Sequence, residues 1–167
     1  SLDFESAGLC LCITDTKGSH SDLTEDYVSV PNEMKKVAGE FGMEHLRQVS
    51  EKEFYAELPR LRKTCTDREI MRAAHFFGEN LRAAHEAEAL ENGDVKRFLE
   101  LVRESGDSSA NLLQNLYSCR KPSEQGIPLA IMASKRILGK KGAVRVHGGG
   151  FAGTIQAFVP LEDADAY

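Results

Sequence analysis

Gly148, Gly149, Gly150 and Gly153 crowd into one short stretch of Val144–Pro160, between two alternating apolar runs. Val144 and Val146 lead in, and Ile155, Ala157 and Val159 lead out. Period-2 patterning bounded by glycines reads as strand, glycine loop, strand. A backbone without Cβ takes positive φ and lets another group approach closely. The chemistry such a loop serves is close contact with a phosphate, or with a second loop that itself holds one.

Two familiar motifs overlap the loop and fail on context. Gly148-x-Gly150-x-x-Gly153 satisfies the dinucleotide spacing, but that fingerprint must open a helix within a βαβ unit, and a strand follows here. His147-Gly-Gly-Gly-Phe151 matches the oxyanion loop of some esterases, which also need a Gly-x-Ser-x-Gly elbow that the sequence lacks. Tyr27 closes a polar segment, where its ring can form a wall and its hydroxyl can donate or accept. Asp15, Lys17 and His20 share that segment and face either a cleft or water. His75 and His85 lie ten apart, unlike the i, i+4 pairs that hold metals, and His147 reads as structural. Cys10 and Cys12 share one face of a strand, but no Cys-x-x-Cys or His pair completes a zinc site. The four cysteines, with Cys65 and Cys119, read as buried free thiols.

The elements that must position these groups follow from pattern. Leu9–Thr14 reads as a strand with Leu9, Leu11 and Ile13 on one face. Residues 15–30 read as a polar loop, and Pro31 as the opening of a helix carrying Met34, Val37, Ala38 and Phe41. Ser50 and Glu53 have capping-box spacing before a helix that Pro59 divides. Thr66 and Glu69 repeat the pattern and start the longest helix, to about Glu91, with Ile70, Ala73, Ala74, Phe77, Leu81 and Ala84 inward. Asp94 caps the next, with Val95, Phe98, Leu99 and Val102 inward. Asp107 or Ser108 caps a separate helix bearing Leu112, Leu113 and Leu116. Pro122 and Pro128 bracket the start of a last helix, with Ile131, Met132 and Ile137, stopped by Gly139.

Composition bounds the classes. The chain of 167 residues is 41% hydrophobic and 28% charged, which is ordinary for one globular domain spanning 1–167. A net charge of −5 argues against a nucleic-acid partner. No apolar run approaches the length of a membrane span and no signal peptide opens the sequence, so a cytoplasmic protein is expected. Five or six helices with three strands make an α+β fold, with helices packed on one face of a small antiparallel sheet.

The glycine stretch resembles the third signature motif of the GHMP small-molecule kinases, in the form it takes in galactokinases. Ile13–Tyr27, Arg72–Arg82 and Ala89–Asp94 with the helix to Gly106 match in the family's order. The resemblance covers essentially the whole chain, but only the C-terminal half of such a kinase. It implies a ferredoxin-like C-terminal domain whose last helix and strand look truncated, leaving a sheet edge open to pairing with a second copy. It implies ATP and Mg2+ as cofactors of the full-length enzyme and a small-molecule sugar as acceptor. It places Gly148, Gly149, Gly150 and Gly153 at the nucleotide end of the cleft and Tyr27 on the sugar. Phosphoryl transfer also needs a phosphate cradle, a metal and a residue acting on the acceptor hydroxyl. The family keeps these in an N-terminal catalytic lobe with no counterpart in this sequence. Gly106-x-Ser108-Ser109-Ala110 resembles its phosphate loop only superficially. No catalytic residue and no metal ligand is therefore expected here, and the isolated chain is expected to be inactive. The alternative is a stand-alone, non-catalytic sensor or interaction module derived from such a kinase.

Overall fold

A computed structural model describes residues 4–19 and 21–167. Three strands, β1 (Leu9–Asp15), β2 (Ala143–Val146) and β3 (Thr154–Pro160), form one antiparallel sheet in the order β1-β3-β2. Ala157 of the central β3 faces Cys12 on one side and Val144 on the other. Among the described residues, six α-helices complete an α+β fold: α1 (Thr24–Gly39), α2 (Glu51–Ala56), α3 (Leu58–Leu61), α4 (Asp67–Glu91), α5 (Val95–Ser108) and α6 (Gly126–Leu138).

The helices are not confined to one face of the sheet. Leu9, Ala143 and Phe158 pack with Phe98, Leu101 and Val102 of α5. Val144, Val146, Ile155, Ala157 and Val159 pack on the opposite face with Ile127 and Leu138 of α6. Consecutive residues Ala157, Phe158 and Val159 are all buried, as a strand covered on both faces requires. Leu11 and Ile13 share the α5 face with Leu9, yet both are about half exposed, because α5 does not reach the outer strand β1 there. A separate cluster lies away from the sheet, where Val37, Ala38, Phe54, Leu61, Ala73 and Phe77 join α1–α4.

Several boundaries depart from the sequence reading. α1 begins at Thr24, so Pro31 lies inside it rather than at its start, and Tyr27 stands in its first turn rather than in a loop. Glu25 and Asp26 complement the amino end of the helix dipole. Arg120 then fastens that end, donating to Asp22 O at 2.7 Å, Glu25 at 2.8 Å and Asp26 at 2.6 Å. These contacts offset the bond that Pro31 cannot donate back one turn. Ser50 precedes α2 without making a capping bond, whereas Thr66 and Glu69 form a reciprocal box at the start of α4. Asp94 accepts from Arg97 N at 3.0 Å and caps α5.

Neither Asp107 nor Ser108 caps a new helix. α5 runs through Gly106 to Ser108 and widens into a π-helical turn over Ser109–Leu113. Gly106 fits because a Cβ there would sit 3.2 Å from Arg145 Cβ, so the bare backbone lets α5 lie close on β2. Leu81 and Ala84 are exposed, since beyond Phe77 the long α4 leaves the helical cluster. Its inward face becomes polar there: Glu79 receives Arg82 at 2.5 Å and Arg145 of β2 at 3.1 Å. Of the four free cysteines only Cys65 is buried; Cys119 is exposed, and Cys10 and Cys12 are half-buried. Cys119 is exposed because it sits in a connecting loop, away from all three apolar clusters. No helix among the described residues is long and apolar enough to cross a membrane.

Candidate functional site

β2 and β3 present the glycine loop at one end of the sheet. His147 N donates to Thr154 O at 3.0 Å and closes the hairpin. Gly148, Gly150 and Gly153 all have positive φ, at +70°, +79° and +96°. Phe151 joins them at +60°, and Ala152 N donates to Gly150 O at 2.7 Å, making a tight three-residue turn. A bulky residue in that region is strained and persists only where its surroundings hold it. Here Phe151 is buried, with its ring edge-on to Tyr27 at 5.4 Å and 88°.

Tyr27 and the glycines, distant in sequence, meet in the fold. The Tyr27 hydroxyl donates to Gly150 O at 2.9 Å. Burial, together with the nearby Asp26 carboxylate, pushes the phenol above its usual range, so it stays a neutral donor. A Cβ on Gly149 would lie 2.9 Å from Tyr27 Cε1, so ring and backbone touch only because that residue is glycine. Gly148 and Gly149 face solvent, whereas Gly150 and Gly153 are buried. Gly148 has nothing within 4 Å of where its Cβ would stand, so the outer rim is open to a further group.

The segment after β1 packs beside this rim. Thr16 donates from N at 2.8 Å and from Oγ1 at 2.6 Å to Gly153 O. A cleft of about 220 Å³ runs between Thr16, Lys17, Ser118, Gly126, Phe151 and Ala152. Lys17 turns to Asp15, with both its N and Nζ at 2.8 Å from the carboxylate, and both side chains stay exposed. His20 lies outside the described residues. His147 is exposed, with Nδ1 2.8 Å from Gln156 Oε1, at the edge of the loop rather than within it. His85 is exposed, and the buried His75 bonds Ser108 Oγ at 2.9 Å far from the rim.

Sequence reasoning missed the residues that brace this site. Asn115 accepts from Phe151 N at 2.5 Å and donates from Nδ2 to Gly149 O at 3.1 Å. Arg72, only 2% exposed, donates to Leu113 O at 3.0 Å and to Ser29 at 2.8 Å, tying α4 to the π-helical turn and to α1. Behind Phe151 a cavity of about 440 Å³ opens onto Asp26, Arg68, Arg72, Gln114 and Tyr117. A buried arginine within the Arg72–Arg82 segment was the one available signal, since an arginine on an apolar face needs several acceptors. No group of three or more His, Cys, Asp or Glu residues suited to a metal occurs among the described residues. The arrangement can shape a cavity and offer backbone and a hydroxyl to a ligand.

No protein-family model matches the chain. It is 30% identical over 158 residues to a galactokinase of Mannheimia succiniciproducens, across 94% of this chain and 39% of that protein. It is 31% identical over 162 residues to a galactokinase of Glaesserella parasuis, across 95% of this chain and 39% of that protein. The chain thus spans about two fifths of the length of these curated relatives. Its fold matches the crystal structure of Lactococcus lactis galactokinase complexed with galactose, at a TM-score of 0.72 and 20% identity. That match covers 95% of this chain and 39% of the other.

Proposed function

We propose that this chain, galactokinase-like along nearly its whole length, is the C-terminal domain of an ATP-dependent sugar kinase and forms one wall of its cleft. Residues 1–167 act as a single domain, and the transferred phosphate passes from ATP to a sugar hydroxyl, with galactose the leading acceptor. The observation that carries this is the bond from Tyr27 to Gly150 O at 2.9 Å. It joins the residue assigned to the sugar with the loop assigned to the nucleotide, so one rigid edge serves both substrates.

Each residue of the rim has a physical task. The exposed backbone of Gly148 and Gly149 admits a partner loop or the nucleotide at close range. The Tyr27 hydroxyl, with its proton committed to Gly150 O, offers lone pairs to a sugar hydroxyl. Phosphoryl transfer depends chiefly on positioning and charge stabilisation, and this wall supplies positioning. ATP fits the open glycine rim. Mg2+ belongs to the full-length enzyme; the described residues hold no group of three or more His, Cys, Asp or Glu suited to a metal, and no step involving the ion is assigned to them. The catalytic groups belong to an N-terminal lobe, the principal partner. The setting is cytoplasmic, and the free edge of β1, with Leu11 and Ile13 half exposed, is a surface for strand pairing with a second copy.

The test is galactose-dependent ADP release from ATP. The chain joined to a galactokinase-type N-terminal lobe is expected to turn over, and the chain alone to release none. Steady turnover by the 167 residues alone, or none by the joined protein, defeats the reading.

A further inference from the structure

From the bonds on either side of Gly150 we infer that Asn115 is a positioning residue: it sets the path of the glycine loop from behind, touching neither substrate. What the loop meets rests on the reading above; how Asn115 holds it rests on this chain alone. Asn115 is 2% exposed. Its carbonyl accepts from Phe151 N and its Nδ2 donates to Gly149 O, while Tyr27 holds Gly150 O from the other side. Three successive loop residues are thereby each tethered. The fit is tight, because a Cβ on Gly150 would collide with the carbonyl oxygen and side-chain amide of Asn115.

The amide orientation is fixed by this task. Reversed, it would set Oδ1 against the Gly149 carbonyl, and neither oxygen can donate. In the orientation found, Oδ1 is buried with no hydrogen-bond partner. Leaving a buried acceptor unmet costs on the order of 1–3 kcal/mol, so the side chain is held for the loop and not for its own satisfaction. The backbone aims it there. The π-helical turn over Ser109–Leu113 widens the end of α5, and Gln114 follows in the left-handed region at φ 57°, ψ 50°. Arg72 pins this turn through Leu113 O. π-helical turns of this kind are rare and recur at functional sites.

The test is amide hydrogen exchange of the chain carrying Asn115→Ala, which keeps the backbone carbonyl and removes the Nδ2 donor. Exchange over residues 148–153 is expected to quicken by roughly three- to tenfold, the worth of one neutral hydrogen bond, with Ile155 and Ala157 of β3 unchanged. Asn115→Asp, of equal size but without the donor, is expected to act in the same direction. In the joined kinase, KM for ATP is expected to rise by roughly the same factor, with KM for galactose within about twofold. Unchanged loop exchange, or exchange rising equally in β3, overturns the inference whatever the enzyme does. A loosened loop with KM for ATP unmoved overturns its link to the nucleotide. If the joined protein turns over no sugar while the loop loosens, the kinase reading falls and the role of Asn115 stands.

Discussion

The helical cluster of α1–α4 and the glycine loop are held by different physics. Phe54, Leu61, Val37 and Ala73 are fully buried among one another, and any one of them is supported by several apolar neighbours. Such packing is non-directional and proportional to area, so shape tolerates some exchange of residues. The loop buries a single large apolar side chain of its own, Phe151. It depends on directional bonds, from Tyr27, to and from Asn115 and two from Thr16, on one edge-on ring contact, and on backbone angles open to few residues. The first region keeps the chain folded; the second keeps a few carbonyls and a hydroxyl in place. Damage to one should register as global stability, and damage to the other as local geometry.

The largest expected effect sharpens that contrast. Phe54→Ala should cost about 3–5 kcal/mol, read as a lower denaturant midpoint at unchanged slope, with amide exchange faster everywhere. Gly150→Ala comes next, at about 2–4 kcal/mol, because strain at φ +79° adds to the collision with Asn115. Gly148→Ala is its control: the same sign of φ but open space around the Cβ, so about 1–2 kcal/mol from strain alone. If Gly148→Ala costs as much as Gly150→Ala, the close approach of Asn115 contributes nothing and the comparison breaks. Tyr27→Phe should remove about 1 kcal/mol, one hydrogen bond, and quicken exchange in the loop while leaving the helical cluster unaffected.

The smallest effect is on pH dependence. Burial holds the His75 imidazole below its ordinary value, against the pull of Glu79 and with the help of Arg145 and Arg82. The unfolded chain therefore takes up a proton first as pH falls. The contribution of His75 to stability is complete above about 6.5 and is lost as pH drops from there toward its depressed folded value. Burial pushes Glu79 up, but the Ser105 hydroxyl and the Arg145 and Arg82 charges outweigh it and hold the carboxyl low. Its loss of stability belongs to more acid solution, below the ordinary carboxylate range. His75→Gln should flatten the unfolding free energy as pH falls below about 6.5. An equally sloped profile in the variant would assign that window to other groups.

The parts legible in the sequence were those with local signals. Period-2 runs around glycines gave the hairpin, Thr66 and Glu69 gave the start of α4, and Gly139 the end of α6. Pro31 misled because a proline inside a helix is tolerated when another residue fastens the amino end, and Arg120 lies far along the chain. The π-helical turn had no marker, since the left-handed residue after it is Gln114 rather than glycine. Asn115 was invisible for the same reason: flanked by Leu113, Leu116 and Tyr117, it reads as one more polar position of an amphipathic helix. Tyr27 and the glycines were named from resemblance, but their contact was not, because it exists only once α1 begins about two turns earlier than its proline indicates.

The most direct measurement is kcat/KM for galactose of Tyr27→Phe and Gly149→Ala in the joined kinase, each with thermal stability recorded beside it. A fall of roughly tenfold or more is expected in both, equivalent to about 1.4 kcal/mol of transition-state stabilisation, with midpoints of unfolding shifted by only a few degrees. Full kcat/KM in both variants would contradict it.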